Sequence, residues 1–175
     1  EKGDFSENSL DAITLFHVFE HLTEPKAMLE TIAAILKPGG IAVFSFPNIE
    51  SLQAQWFKGK WLHLDPPRHL FFFGPEDFKN LVASYGFGRV KEKYASAEQN
   101  PYGMAQSILN LFCKKREVLF ESMKGNEAYI KDYSKLNLFM QKVFFVGSFP
   151  WFMISDWVVS VFGRGATVEF VFRKQ

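Results

Sequence analysis

Two short apolar runs separated by one helix constrain this chain more than anything else in its sequence. Asp11 to Phe16 and Ile41 to Phe46 are apolar nearly throughout rather than alternating, the pattern of strands covered on both faces. Between them Met28, Leu29, Ile32, Ile35 and Leu36 recur at helical spacing. Thr23 or Glu24 is placed to cap that helix, Pro25 suits its first turn, and Lys37-Pro38-Gly39-Gly40 predicts its stop. A strand, a helix and a strand in this order make a right-handed crossover with parallel strands. Both strands then end on the same edge of an open α/β sheet, which is where such sheets bind ligands.

The residues delivered to that edge are polar: His17, Glu20 and His21 after the first strand, Pro47 and Asn48 after the second. A loop over 50–70 follows, carrying Trp56, Trp61, His63, Asp65 and Arg68-His69, and it is long enough to form a lid or a substrate wall. Gly74-Pro75-Glu76 opens another helix, with Phe78, Leu81, Val82 and Tyr85 as its buried stripe and Gly86 as its stop. Phe87 to Tyr94 reads as a third strand, and Asn100-Pro101 as a break. From Tyr102 to Phe162 the pattern turns helical, and Gly163-Arg164-Gly165 leads into a last strand, Ala166 to Arg173. The expected organisation is a core over 1–100, a helical insertion over 101–162 and a closing strand within 163–175.

At 175 residues, 47% apolar, the chain can bury one sizeable core. A net charge of +1 leaves no electrostatic footprint for nucleic acid. The single cysteine, Cys113, excludes an internal disulfide and favours a reducing, cytoplasmic setting. The 21 phenylalanines, dense at Phe71 to Phe73 and from Phe139 to Phe162, argue for broad apolar contact surfaces. Val143 to Phe162 has the length of a membrane span, but Pro150, Ser155, Asp156 and Ser160 interrupt it. A helix pair packed on protein or lying at a membrane periphery is the expectation. Because the first strand comes only ten residues in, behind Glu1, we expect a further half of the domain upstream.

Leu10-Asp11 leading to His17-Val-Phe-Glu-His-Leu22, then Leu36-Lys-Pro-Gly-Gly40 before Ile41 to Pro47, then Asp65-Pro-Pro-Arg-His-Leu-Phe-Phe-Phe73 and Tyr85-Gly-Phe87, carry a family likeness. In these segments the chain resembles class I S-adenosylmethionine-dependent methyltransferases, most closely the branch of ubiquinone-type O-methyltransferases. The resemblance implies a partial Rossmann-like methyltransferase sheet holding strands four to seven, the last antiparallel and inserted beside the fifth. It implies S-adenosylmethionine as cofactor and methyl transfer to a small, partly apolar acceptor. The family's glycine-rich cofactor loop has no counterpart, since Gly3 alone cannot form a G-x-G-x-G turn, so this chain by itself should bind the cofactor poorly and be inactive.

Within that frame Phe16, His17 and Val18 are expected beside the cofactor's methionine portion. His17, His21 and His69 are the candidate catalytic groups, because in-line methyl transfer to a hydroxyl needs little beyond orientation and a proton acceptor. Asn48, Trp61, His63 and Arg68 are the candidate acceptor contacts, Arg68 for an anionic group and the tryptophan for an apolar part. Structural alternatives stand beside each: His17 bonded to backbone at a strand end, Glu20 and His21 capping the helix near Thr23, Asp65 and Arg68 bracing a Pro-Pro loop. Some ubiquinone-type relatives hold a divalent ion through an acidic residue at the position of His17 and the following Glu-His pair. Histidine there shifts preference away from magnesium, and no metal is assigned. The same letters match the H-x-x-E-H of an inverted zinc protease, but His17 at a strand end cannot share a helix face with His21. Lys114-Lys115-Arg116 reads as a solvated run, or at most a contact for anionic lipid beside an apolar helix, and Cys113 as a small buried apolar residue. Two other roles remain open at this level: an inactive methyltransferase-like interaction module, and a membrane-peripheral protein acting through its Phe/Trp-rich helices. Beyond the acceptor, the partners to consider are a lipid surface and, through an uncovered strand edge, a second copy of the chain.

Overall fold

The structure, a computed structural model, describes residues 5–175; Gly3 lies outside them. The described chain divides into two compact units, one of 5–50, 66–94 and 167–175, the other of 51–65 and 95–166.

The first unit is a four-stranded sheet with helices, the Rossmann-like arrangement that the crossover predicts. Its strands are β1 (Leu10–Phe16), β2 (Leu36–Pro47), β3 (Phe87–Lys93) and β4 (Thr167–Lys174), in the order β1-β2-β4-β3. β1 and β2 are parallel, while β4 runs antiparallel to both of its neighbours, β2 and β3. Helix α1 (Pro25–Ile35) links the two parallel strands, and α3 (Pro75–Ala83) precedes β3. One core joins these elements: Leu29 and Ile32 from α1, Phe78 and Val82 from α3, and Leu15, Phe44, Phe46, Phe170 and Phe172 from the sheet. Phe78 is its hub, with ring centroids 4.4–5.7 Å from those of Phe19, Phe44, Phe46, Phe73 and Phe170. Much of the phenylalanine content therefore fills this core rather than forming outward surfaces.

Several local expectations are corrected. No side chain caps α1: Glu24 holds the cap position without a side-chain hydrogen bond. Lys37-Pro38-Gly39-Gly40 is the irregular start of β2 rather than a turn before it, with a register shift against β1 between Leu10 and Ala12 and with Gly39 at φ +80°. The stretch 50–70 contains α2 (Leu52–Phe57) and a single 3-10 turn (Lys58–Lys60). Ser51 caps α2 by accepting from Ala54 N–H.

The second unit is helical: α2 with α4 (Gln99–Phe112), α5 (Val118–Lys124), α6 (Glu127–Ile130) and α7 (Lys135–Val161). It is larger than 101–162, because the 51–65 segment joins it. Asn100 and Pro101 are not a break; they lie in the first turn of α4, where the missing N–H of proline is harmless. The expected helix pair over 143–162 is one continuous helix, α7, with Pro150 inside it. Nor is Lys114-Lys115-Arg116 simply solvated. Arg116 donates to the main-chain oxygens of Gly59, Trp61, Leu62 and Leu64, and Lys115 pairs with Asp132. Cys113 is half-buried, near Gln141 Nε2, and burial pushes its thiol up.

Candidate functional site

The parallel register of β1 and β2 sets Phe16 opposite Ser45, and His17 N–H donates to Ser45 O at 2.8 Å. His17 then adopts φ +52°, a left-handed conformation that costs a residue with a Cβ about 1 kcal/mol. That reversal ends the strand and starts a 3-10 turn, Phe19–His21. Phe19 is buried in the core and anchors the turn, and Glu20 beside it is only 1% exposed.

Around Glu20 the structure gathers all three candidate catalytic histidines. Its Oε1 lies 3.3 Å from His17 Nδ1 and 3.9 Å from His69 Nε2. Its main-chain oxygen accepts from Leu70 N–H at 2.8 Å and Phe71 N–H at 3.2 Å, which fastens the His69 loop to the turn. His21 Nδ1 sits 2.8 Å from Arg68 O, and the rings of His21 and His69 meet edge to face at 4.6 Å.

Two chemical consequences follow. A carbonyl oxygen only accepts, so His21 Nδ1 carries its proton, and in the neutral ring Nε2 is left as the basic nitrogen. Both Glu20 carboxylate oxygens are buried without a hydrogen bond, and a buried carboxylate is costly unless positive charge stands beside it. The ring nitrogens of His17 and His69 would supply partners for it. A divalent cation would as well: Glu20, His21 and His69 bring ligand atoms within 4.8 Å of one another. Glu20 is thus the centre of the cluster, a role its sequence context as a helix cap conceals. The available signal was its place three residues after His17.

Three of the candidate acceptor contacts are corrected by burial. Asn48 is fully buried, and its Oδ1 accepts from Glu50 N–H, so it closes the turn after β2 instead of facing a ligand. Trp61, 1% exposed, and buried His63 belong to the helical unit, where their rings pack at 5.4 Å. His63 Nε2 also lies against Gly103, where a Cβ would come within 2.8 Å of it. Neither offers surface to an acceptor. Arg68 is exposed, next to the histidine cluster in sequence and tied to it through its carbonyl. Sequence reading missed the apolar rim of this turn: Phe16, Val18, Leu70 and Phe71 are all exposed large side chains of the sheet unit.

Comparison with known proteins gives one family and a set of fold neighbours. The pattern of the family described as "Methyltransferase domain" matches residues 1–92. Among solved structures, the [4+2]-cyclase SpnF is 14% identical with a TM-score of 0.53, over 98% of this chain and 52% of its own. A SAM-dependent methyltransferase from Archaeoglobus fulgidus is 16% identical with a TM-score of 0.51, over 97% of this chain and 62% of its own. One from Thermotoga maritima is 13% identical with a TM-score of 0.50, over 98% and 59% respectively. The chain thus spans little more than half the length of these structures, and at such identities the likeness is one of fold. No curated protein matches it significantly. With its parallel β1 and β2, its antiparallel β4 inserted beside β2, and a family match over more than half of its length, the chain belongs to the methyltransferase domain family.

Proposed function

We propose that this chain forms the acceptor-facing rim of an S-adenosylmethionine-dependent methyltransferase of the class I type, with His21 as proton acceptor and Glu20 as the buried charge that holds the histidines in place. The observation that carries this reading is the contact of His21 Nδ1 with Arg68 O, which leaves Nε2 basic on a turn at the carboxyl end of a parallel strand.

The residues at the end of β1 suit the cofactor's methionine portion. Phe16 and Val18 present exposed apolar side chains, and His17 stands between them. S-adenosylmethionine, when bound, supplies a methyl group on a sulfonium, already activated for displacement. His21 Nε2 takes the proton that a hydroxyl or amine acceptor loses as its lone pair attacks the methyl carbon. The products are then the methylated acceptor, S-adenosylhomocysteine and an imidazolium at His21. Glu20 offsets that new positive charge through the cluster it shares with His17 and His69. Exposed Leu70 and Phe71, held by Glu20 O, support an acceptor with an apolar part, and Arg68 beside them supports one that also carries an anionic group. The two-carboxylate pattern of ubiquinone-type metal sites is absent from this turn, so the reading routes no step through a metal.

The test uses the natural full-length protein. Calorimetric titration with S-adenosylmethionine should give a saturable heat, and no binding would remove the enzyme reading in favour of an interaction module. His21→Ala should lower kcat/KM by about a hundredfold or more, while cofactor affinity stays the same. Unchanged turnover in that variant would take His21 off the catalytic list.

A further inference from the structure

Helix α7 is apolar on the side that it leaves to its surroundings. On the side it turns inward, half-buried Phe145, Phe149, Phe152 and Val159 alternate with polar Gln141, Ser148, Ser155 and Asp156, and Phe145 packs on Tyr102 of α4. Asp156 is buried, with Oδ1 accepting from Asn100 Nδ2 at 2.7 Å and Oδ2 from Ser96 N–H at 3.2 Å. Gln141 is buried as well, donating to Asn137 Oδ1, and the serine hydroxyls turn back to their own helix carbonyls. Helix α4 packs along α7 and meets it with Asn100, while its buried Gln106, Ser107 and Asn110 turn to 60–62 and to the start of α5. The outward side is apolar: Phe139, Val146, Trp151, Ile154, Trp157 and Val161 are exposed, Trp151 by 71%. Only 6% of the most apolar 18-residue window of α7 is buried.

A helix in water places its apolar stripe against the core and its polar residues outside. Here α7 keeps its one acid bonded inside and leaves a continuous apolar face outside, which suits an apolar surrounding better than water. A protein partner is a poorer match, because such interfaces keep a polar, charged rim. From Val143 to Phe162 the only charged residue is Asp156, and it is buried. Charge appears at the other end of the helix, where Lys114, Lys124, Lys131, Lys135 and Lys142 are exposed. The acids nearby are exposed Glu127 and Asp132, the second paired with Lys115, and half-buried Glu117 and Glu121, so with Lys115 and Arg116 the cations remain in excess. An excess of lysine beside an apolar, tryptophan-bearing face is complementary to anionic headgroups over an acyl layer.

We infer that the outward face of α7 docks on an anionic lipid surface. The helix lies in the plane of the interface instead of crossing it, since Asp156 with its Asn100 partner and the polar residues of α4 would be stranded in hydrocarbon. This inference is independent of the methyl-transfer reading, because its test reads binding and not turnover.

In a flotation assay on the full-length protein, vesicles of phosphatidylcholine with phosphatidylserine should carry the protein upward. Vesicles of phosphatidylcholine alone should carry far less. Trp151→Glu combined with Trp157→Glu, both at exposed positions, should abolish flotation while circular dichroism and cofactor binding are unchanged. Lys135→Gln with Lys142→Gln should weaken binding to the anionic vesicles by about thirtyfold. Failure to float with either vesicle type overturns the inference. So does equal flotation by the double tryptophan variant, or a dimer in light scattering that this variant dissociates in the absence of any flotation.

Discussion

Tyr102 carries its hydroxyl into the helical unit, against Phe120 and Phe145, without a hydrogen bond to receive it. Burial, reinforced by the charges of Glu117 and Glu121, holds its proton well above the ordinary phenol range. The sign follows from which state binds the proton more tightly. The folded protein does, so the stabilisation is complete below about pH 10, where the unfolded phenol titrates, and is lost progressively as the pH rises above it. Tyr102→Phe should therefore leave the melting temperature near neutral pH unchanged or slightly higher, since it removes an unsatisfied buried hydroxyl. Between pH 10 and 11 the variant should melt clearly above the parent; equal alkaline losses in the two proteins would refute this. The histidines of the site were legible as residues because their spacing after a strand fixes the edge they reach. What their letters could not show is burial. Asn48, Trp61 and His63 have the chemistry of ligand contacts and are spent inside, on a turn and on helix packing, while Arg116, read as one of three solvated cations, binds four carbonyls.

Among the elements, the bounds of β1, α1, α3 and β3 follow their sequence patterns closely, because each signal is local: an apolar run, a helical stripe, a Gly-Pro start and a glycine stop at Gly86, φ +83°. But β1 is not covered on both faces as its apolar run predicts, since it is an edge strand with Asp11, Ala12, Thr14 and Phe16 exposed. The failures share one cause, local signals that tertiary pairing overrides. Lys37-Pro38-Gly39-Gly40 is turn chemistry, yet pairing of Leu36 with Leu10 draws it into β2 as an irregular strand start. Gly40 is required there: a Cβ would lie 2.8 Å from Lys37 O and 3.3 Å from Asp11 O, both backbone atoms with little room to move. Gly40→Ala should destabilise the protein by about 1–3 kcal/mol in urea, and a change within error would mean that the strand start can shift to accommodate it. Pro150 is the converse case, a helix breaker by propensity that α7 absorbs. For a helix that buries so little of its length, the interruption by Pro150, Ser155, Asp156 and Ser160 marked the right residues and the wrong conclusion, two helices in place of one.

For the molecule as a whole, the strand count and the inserted antiparallel strand are visible from the family likeness, whereas the membership of 51–65 in the helical unit is not, since nothing in those fifteen residues announces a long-range partner. Two units with separate interiors should respond separately to core damage. Phe78→Ala removes the hub of the aromatic cluster and should cost about 3–5 kcal/mol. In native-state hydrogen exchange the amides of β2 and β4 should then exchange faster, with those of α4 much less affected. Equal acceleration in both would show that the two units unfold as one. The path of the chain between them has its own consequence. For the longer of its two excursions it departs after β3 at Lys93 and comes back into β4 at Thr167, and the register sets Lys93 opposite Glu169. Exit and return of 95–166 thus share one doorway between adjacent strands, while 51–65 crosses separately after β2. Whatever is strung through that doorway can be lengthened, shortened or given a new outer surface without rewiring the sheet, which leaves the protein free to change where it attaches while keeping its histidine turn in place.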